Sequence, residues 1–221
     1  MKRRCWFVLF SALQLALFTA LTLWVQKHPH PAREIRLIRR MQQKRSPLAQ
    51  RLVSFGSMMV GESTWLNGLA LPTALLFWLK RLRLEALMTL FVIWGGALVR
   101  SSLQHLIRRP RPTPTLLLMS DHKHTKSYPS GHVSMAVLFW GWLLALSRRF
   151  CQGWSPWQKR LLNLPGVFLF LIGPSRVYLG DHWGTDVIGG YLFGGSWLNL
   201  SVAYYLTLHE RGVLASPQHE C

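Results

Sequence analysis

The chain has 221 residues, 50% of them hydrophobic, with 11 Trp and 11 Phe, and it carries 26 Lys and Arg against 8 Asp and Glu. In a water-soluble domain a net charge of +18 would point to nucleic acid. Here the apolar residues lie in long blocks with the basic ones between them, which excludes that reading and fits a polytopic membrane protein.

The N-terminus has a basic start and then an apolar run, Cys5 to Val25, that predicts a first span. The run exceeds a usual signal-peptide core, and no A-x-A-like cleavage site follows it closely. Next comes REIRLIRRMQQKRSPLAQRLVSF, where Ile35, Ile38 and Met41 recur at intervals of three with Arg between them. Leu48, Leu52 and Phe55 continue the stripe, and the pattern predicts an amphipathic helix on the bilayer surface. A second span is expected within Ser57 to Leu79, interrupted by Glu62, Asn67 and Pro72. The third is roughly Glu85 to Leu106, and the fourth runs from about Gly131 to Leu146. The fifth covers Leu161 to about Leu179, and the sixth about Thr185 to Leu208. A span needs about 20 residues at 1.5 Å per residue, so the second and fourth must borrow interfacial residues. The expected fold is all-α: a polytopic membrane bundle of six transmembrane helices, with the surface helix after the first span. Lipid leaves no partner for unpaired backbone groups, which favours helices throughout. One integral-membrane domain over residues 1–221 is expected. Three scattered cysteines, Cys5, Cys151 and Cys221, form no readable disulfide or zinc pattern.

Six spans put the Arg100–Ser130 loop and the Ser175–Thr185 loop on one side of the membrane, and the residues with chemistry fall there. QHLIRRPRP, Gln104 to Pro112, offers planar guanidinium groups that match phosphate bidentately. PSGH, Pro129 to His132, opens a helix whose unpaired N–H groups favour anions. Ser130 is placed as an N-cap or as a hydroxyl donor to phosphate, and Gly131 lets backbone approach a ligand. In SRVYLGDHWGTD, Ser175 to Asp186, His182 and Asp186 are spaced i, i+4 and share a helix face. The carboxylate can accept from one ring nitrogen and leave the other as a nucleophile. His132 can then protonate a leaving oxygen. Taken singly, a helix-start His reads as a cap or interfacial residue, an i, i+4 His–Asp pair as a pair on the surface and RPRP as a basic linker. Together, on one side, they read as a phosphoryl-transfer site. The HKH run (His122 to His124) and His105 read as exposed histidines, with no Cys or carboxylate set to make a metal site. Gly190-x3-Gly194 reads as a close helix contact.

The three clusters resemble the signature of the type 2 phosphatidic acid phosphatase superfamily, the lipid phosphate phosphatases related to vanadium haloperoxidases. That signature reads K-x6-R-P, P-S-G-H and S-R-x5-H-x3-D. The second part stands at Pro129 to His132, and the third at Ser175, Arg176, His182 and Asp186. The resemblance covers about Leu103 to Gly190. It implies His182 as the nucleophile that forms a phosphohistidine, Asp186 as its orienter and His132 as general acid. It implies Arg111, Ser130, Gly131 and Arg176 as ligands of the phosphoryl oxygens, with no metal and no cofactor. The first part departs from the pattern, because Gln104 stands where the family has Lys. Arg108, four residues on, is expected to restore that charge, with Arg109 as second choice. Asp181, beside the nucleophile, would repel phosphate unless turned away or paired with Arg.

The implied partner is a lipid phosphate held at the bilayer surface: phosphatidate, phosphatidylglycerol phosphate or a polyprenyl diphosphate such as undecaprenyl diphosphate. Nucleic acid is not expected, and no oligomeric state is read. The small size resembles bacterial members and implies an inner-membrane enzyme with a periplasmic site. The distribution of charge opposes that orientation, since an inside N-terminus leaves 11 of the 26 basic residues inside. Alternatives are a lipid phosphotransferase with the same histidine chemistry, a haloperoxidase, and a non-catalytic lipid-binding homologue suggested by Gln104.

Overall fold

The protein is described by a computed structural model covering residues 2–43, 46–61, 63–112, 126–150, 155 and 164–214. Glu62, the Leu161 start of the fifth expected span, His122, His124, Cys151 and Cys221 lie outside the described residues. Among the described residues all regular structure is helical. The helices are α1 (Lys2–Lys27), α2 (Ala32–Gln42), α3 (Pro47–Gly61), α4 (Ser63–Leu79), α5 (Arg83–Ile107), α6 (Gly131–Phe150), α7 (Leu164–Leu179) and α8 (Gly184–Glu210). The chain chemistry sets several of the breaks. Pro47 opens α3, where its missing N–H costs nothing. After α5, Arg108 takes a left-handed φ of 55°, and Pro110 disfavours helix at Arg109.

Helix α6 is the axis of the bundle, touching α8, α7, α5, α4 and α3. It buries Val133, Met135, Ala136, Leu138, Phe139, Trp142 and Leu146. The Gly190-x3-Gly194 contact is real. A Cβ on Gly190 would lie 3.0 Å from Val133 and 3.1 Å from the Ser130 carbonyl, and one on Gly194 would lie 3.1 Å from Val137. The bare backbone of α8 therefore runs directly against α6 and brings their N-termini together. Helix α1 lies along α8, where Ser11 Oγ donates to the Ser196 carbonyl at 2.9 Å. At the end remote from those N-termini, Tyr205 Oη donates to Glu85 Oε1 at 2.7 Å and Trp142 Nε1 to Thr89 Oγ1 at 2.9 Å. Those bonds satisfy Glu85, Thr89, the Tyr205 hydroxyl and the Trp142 N–H within the core.

The outside is apolar where a soluble protein would be polar. Trp6, Phe10, Leu13, Leu71, Leu98 and Leu106 are all more than half exposed. Such a continuous apolar exterior belongs in lipid. Arg4–Lys27 and Arg83–Ile107 are long and apolar enough to cross a bilayer, whereas Thr64–Leu79, Gly131–Ser147 and Leu169–Leu179 are shorter apolar helices. The expected spans fall on helices, but a count of six is not established by length and hydropathy.

The expected surface helix needs correcting. It is two helices, α2 and α3, divided before Pro47. The inner face of α2 is Glu34, Ile38 and Gln42, all buried against the protein rather than laid on lipid. Gln42 Nε2 donates to the Tyr178 carbonyl at 2.9 Å. In α3, Leu48 and Phe55 are exposed, as the apolar stripe predicts.

Candidate active site

The C-terminal ends of α5 and α7 and the N-terminal ends of α6 and α8 meet at one end of the bundle. Four hydrogen bonds knit the segments between them. Ser130 N donates to the Asp186 carbonyl at 3.0 Å and Gln104 Nε2 to the Pro129 carbonyl at 2.9 Å. Ser127 N donates to the Arg109 carbonyl at 2.9 Å and Trp183 Nε1 to the Pro110 carbonyl at 2.9 Å. The three sequence clusters thus become one surface.

Asp186 sits in the first turn of α8, and its Oδ2 accepts the Trp183 N–H at 3.0 Å, half of a capping box. The same oxygen lies 3.4 Å from His182 Nδ1. An ionised carboxylate only accepts, so the ring proton is on Nδ1 and Nε2 carries the lone pair. Nε2 is buried with no hydrogen-bond partner among the described residues. Burial pushes the His182 pKa well below its ordinary value, and the Arg111 guanidinium acts the same way, opposed by Asp181. The ring is therefore neutral at neutral pH. The His132 ring stands 6.4 Å away, centroid to centroid, at 68°.

Cationic groups surround this pair. Arg111 Nη1 donates to the Asp181 carbonyl at 2.8 Å, and Arg176 Nη2 lies 3.1 Å from Asp181 Oδ2. The Asp181 carboxylate, awkward for phosphate in sequence, is thus paired with Arg176. Ser130 immediately precedes α6, and its buried hydroxyl oxygen has no partner among the described residues. Of its two expected roles, capping is not what this side chain does. Gly131 opens α6 as expected.

Arg108 is not brought into the site. Its left-handed conformation turns the side chain outward, where Nε donates to the His105 carbonyl at 3.1 Å and the residue is exposed. Gln104 bonds to Arg100 instead, its Oε1 accepting from Arg100 Nη1 at 2.8 Å. His105 is exposed, and among the described residues no three His, Cys, Asp or Glu side chains are grouped to hold a metal ion.

Two positioning roles escape the sequence reading, which takes Arg109 only as second choice for the missing charge, whereas its guanidinium is paired with Asp186. Arg109, buried to 2% exposure, donates from Nη1 to Asp186 Oδ1 at 2.6 Å and to Thr185 Oγ1 at 2.7 Å. Its guanidinium lies over the Trp183 ring. Glu34 of α2 accepts from Thr185 N at 3.1 Å and Thr185 Oγ1 at 2.8 Å, so it caps α8 from outside. A signal for Glu34 exists: it is a rare carboxylate inside an otherwise basic helix. Arg109 is marked only by lying in RRPRP.

The sequence pattern of the PAP2 superfamily matches residues 85–210, more than half of the chain and all four helix ends of the site. The chain belongs to the PAP2 superfamily. A Bacillus subtilis protein named phosphatidylglycerophosphatase B is 30% identical over 142 residues, 64% of this chain and 68% of that one. An undecaprenyl-diphosphatase from Sulfolobus acidocaldarius is 35% identical over 133 residues, 58% of each chain. The crystal structure of a transmembrane PAP2 type phosphatidylglycerolphosphate phosphatase from Bacillus subtilis superposes with a TM-score of 0.71. It covers 91% of this chain and 96% of that one at 22% identity, a likeness of fold. As a PAP2 protein with phosphatase relatives, the chain is a hydrolase of the phosphatase class.

Proposed function

We propose that the protein hydrolyses lipid phosphates in a bilayer through a phosphohistidine on His182, without a metal. The observation that carries this reading is His182 itself. Its Nδ1 faces Asp186, its Nε2 is buried and unpartnered, and His132 stands across from it. In the first step Nε2 attacks phosphorus, the bond from phosphorus to the lipid oxygen breaks, and His132 gives that oxygen its proton. In the second, His132 takes a proton from water, water oxygen attacks phosphorus, and the nitrogen–phosphorus bond breaks to release phosphate. Arg111, Arg176, the Ser130 hydroxyl and the Gly131 N–H hold the phosphoryl oxygens, where charge spreads in the transition state. Asp186 stabilises the cationic ring after attack.

Phosphatidylglycerol phosphate, phosphatidate and undecaprenyl diphosphate are the substrates to try first, because relatives carry two of those chemistries in their names. Six helices crossing the membrane, with the site on the periplasmic side of a bacterial inner membrane, complete the reading as one domain over residues 1–221. An external position for single cysteines placed next to Arg111 and Asp181 checks the orientation. They label with membrane-impermeant maleimide in intact cells if the site faces outward, and only after lysis if it faces inward. A panel of these lipids with purified protein, detergent and chelator tests the activity. Phosphate release is expected from at least one, and its loss in His182→Ala by a factor of about 10³ or more. Undiminished release from His182→Ala contradicts the mechanism.

A further inference from the structure

The phosphate-binding surface contains one cation that neither the motif spacing nor the expected roles assign. Arg100 lies on α5, one turn before Gln104. Its guanidinium extends toward the site end of that helix. Nη1 would stand 3.1 Å from a Cβ on Gly131, so the group rests against the first residue of α6. Gln104 fixes it there by bonding in both directions. Oε1 accepts from Arg100 Nη1 at 2.8 Å, while Nε2 donates to the Pro129 carbonyl at 2.9 Å. Arg100 Nε is buried with no hydrogen-bond partner among the described residues. A half-buried guanidinium with no carboxylate on it among the described residues, beside the positive end of a helix, is suited to an incoming anion. Two other arginines of the site have ion pairs of their own: Arg109 with Asp186 and Arg176 with Asp181.

We propose that Arg100 is a phosphoryl-oxygen ligand of this enzyme and that Gln104 is the positioning residue that aims it. The inference rests on the phosphatase reading above. Residue 104 stands where a lysine is expected, and residues 100 and 104 share a helix face at a rise of about 6 Å. Arginine is long enough to bridge that turn, and its planar fork suits two phosphoryl oxygens at once, which an ammonium does not. The charge has moved back along the helix to Arg100, rather than forward to Arg108.

The test compares wild type, His182→Ala, Arg100→Gln, Arg100→Lys, the double variant Arg100→Gln/Gln104→Lys, and Arg108→Ala. Each is assayed for steady-state hydrolysis, inhibition by orthovanadate as a phosphate mimic, and thermal unfolding in detergent. Arg100→Gln is expected to lose about 10²-fold in kcat/KM and to bind vanadate correspondingly less tightly, with its melting profile kept. Adding Gln104→Lys should recover at least about tenfold of that loss by returning a cation to the same face. Arg108→Ala should stay near wild type. Wild type without activity, or His182→Ala with full activity, would overturn the phosphatase reading itself. With that reading intact, the Arg100 assignment fails if Arg100→Gln keeps hydrolysis and vanadate affinity. It fails equally if Gln104→Lys restores nothing, or if both Arg100 variants lose the fold, since the side chain is then scaffold.

Discussion

In the proposed mechanism the chemistry turns on a single ring nitrogen. Burial and the Arg111 charge both disfavour the imidazolium form of His182, so its pKa lies well below 6.5. In that mechanism the nucleophile is the neutral ring, and protons compete for it only under acid conditions. The acid limb of kcat/KM should therefore have its midpoint below pH 6.5. Stability follows the same sign. Between the folded and unfolded pKa values the unfolded chain binds more protons, so the His182 contribution is complete above about pH 6.5 and is lost as pH falls. A pH–rate profile with its acid midpoint at or above 6.5 would contradict the buried neutral nucleophile. His182, Asp186, His132, Ser130, Gly131, Arg111 and Arg176 are legible in the sequence because each belongs to a short run with fixed spacing. Arg109 and Arg100 are not, because their meaning comes from partners on other segments. Arg109 meets Asp186 77 residues along the chain, and Gly131 lies against Arg100 only after α5 and α6 pack.

At the level of elements, helix positions are the most readable feature, since long apolar runs and prolines mark them. What helices do with their faces is less so. The periodicity of α2 suggests Ile35, Ile38 and Met41 on lipid, yet Ile38 is buried in the protein core and Ile35 and Met41 pack partly buried against it, with Glu34 and Gln42 buried beside them. The two polar residues can join that face because donors at the start of α8 and the Tyr178 carbonyl satisfy them. α2 is consequently a strap that ties the segment after α1 to the start of α8, next to His182. Glu34→Ala removes two acceptors from Thr185 and the nearest carboxylate besides Asp186 to Arg109, 3.9 Å away. It should destabilise the protein by about 1.5–3 kcal/mol, read by thermal or denaturant unfolding in detergent, and lower kcat more than it raises KM. Unchanged melting and kcat would show α2 to be only a surface element.

For the whole molecule, the order of residues rather than composition separates a membrane bundle from a nucleic-acid-binding domain, because charge and apolar residues are segregated along the chain rather than mixed. The bundle serves the site by geometry. The close contact of α6 with α8 sets His132 against His182, and Arg176 of α7 and Arg111 of the segment between α5 and α6 bring positive charge to them. On the proposed function an excess of basic residues becomes intelligible at this scale: part of it stands at one end of the bundle for an anion. The most direct measurement is rapid acid-free quenching of enzyme turning over a 32P-labelled lipid phosphate, followed by mapping of alkali-stable label. Label on residue 182, absent from His182→Ala, is the predicted result. Turnover with no phosphoryl group on residue 182, or with label retained in His182→Ala, would contradict it.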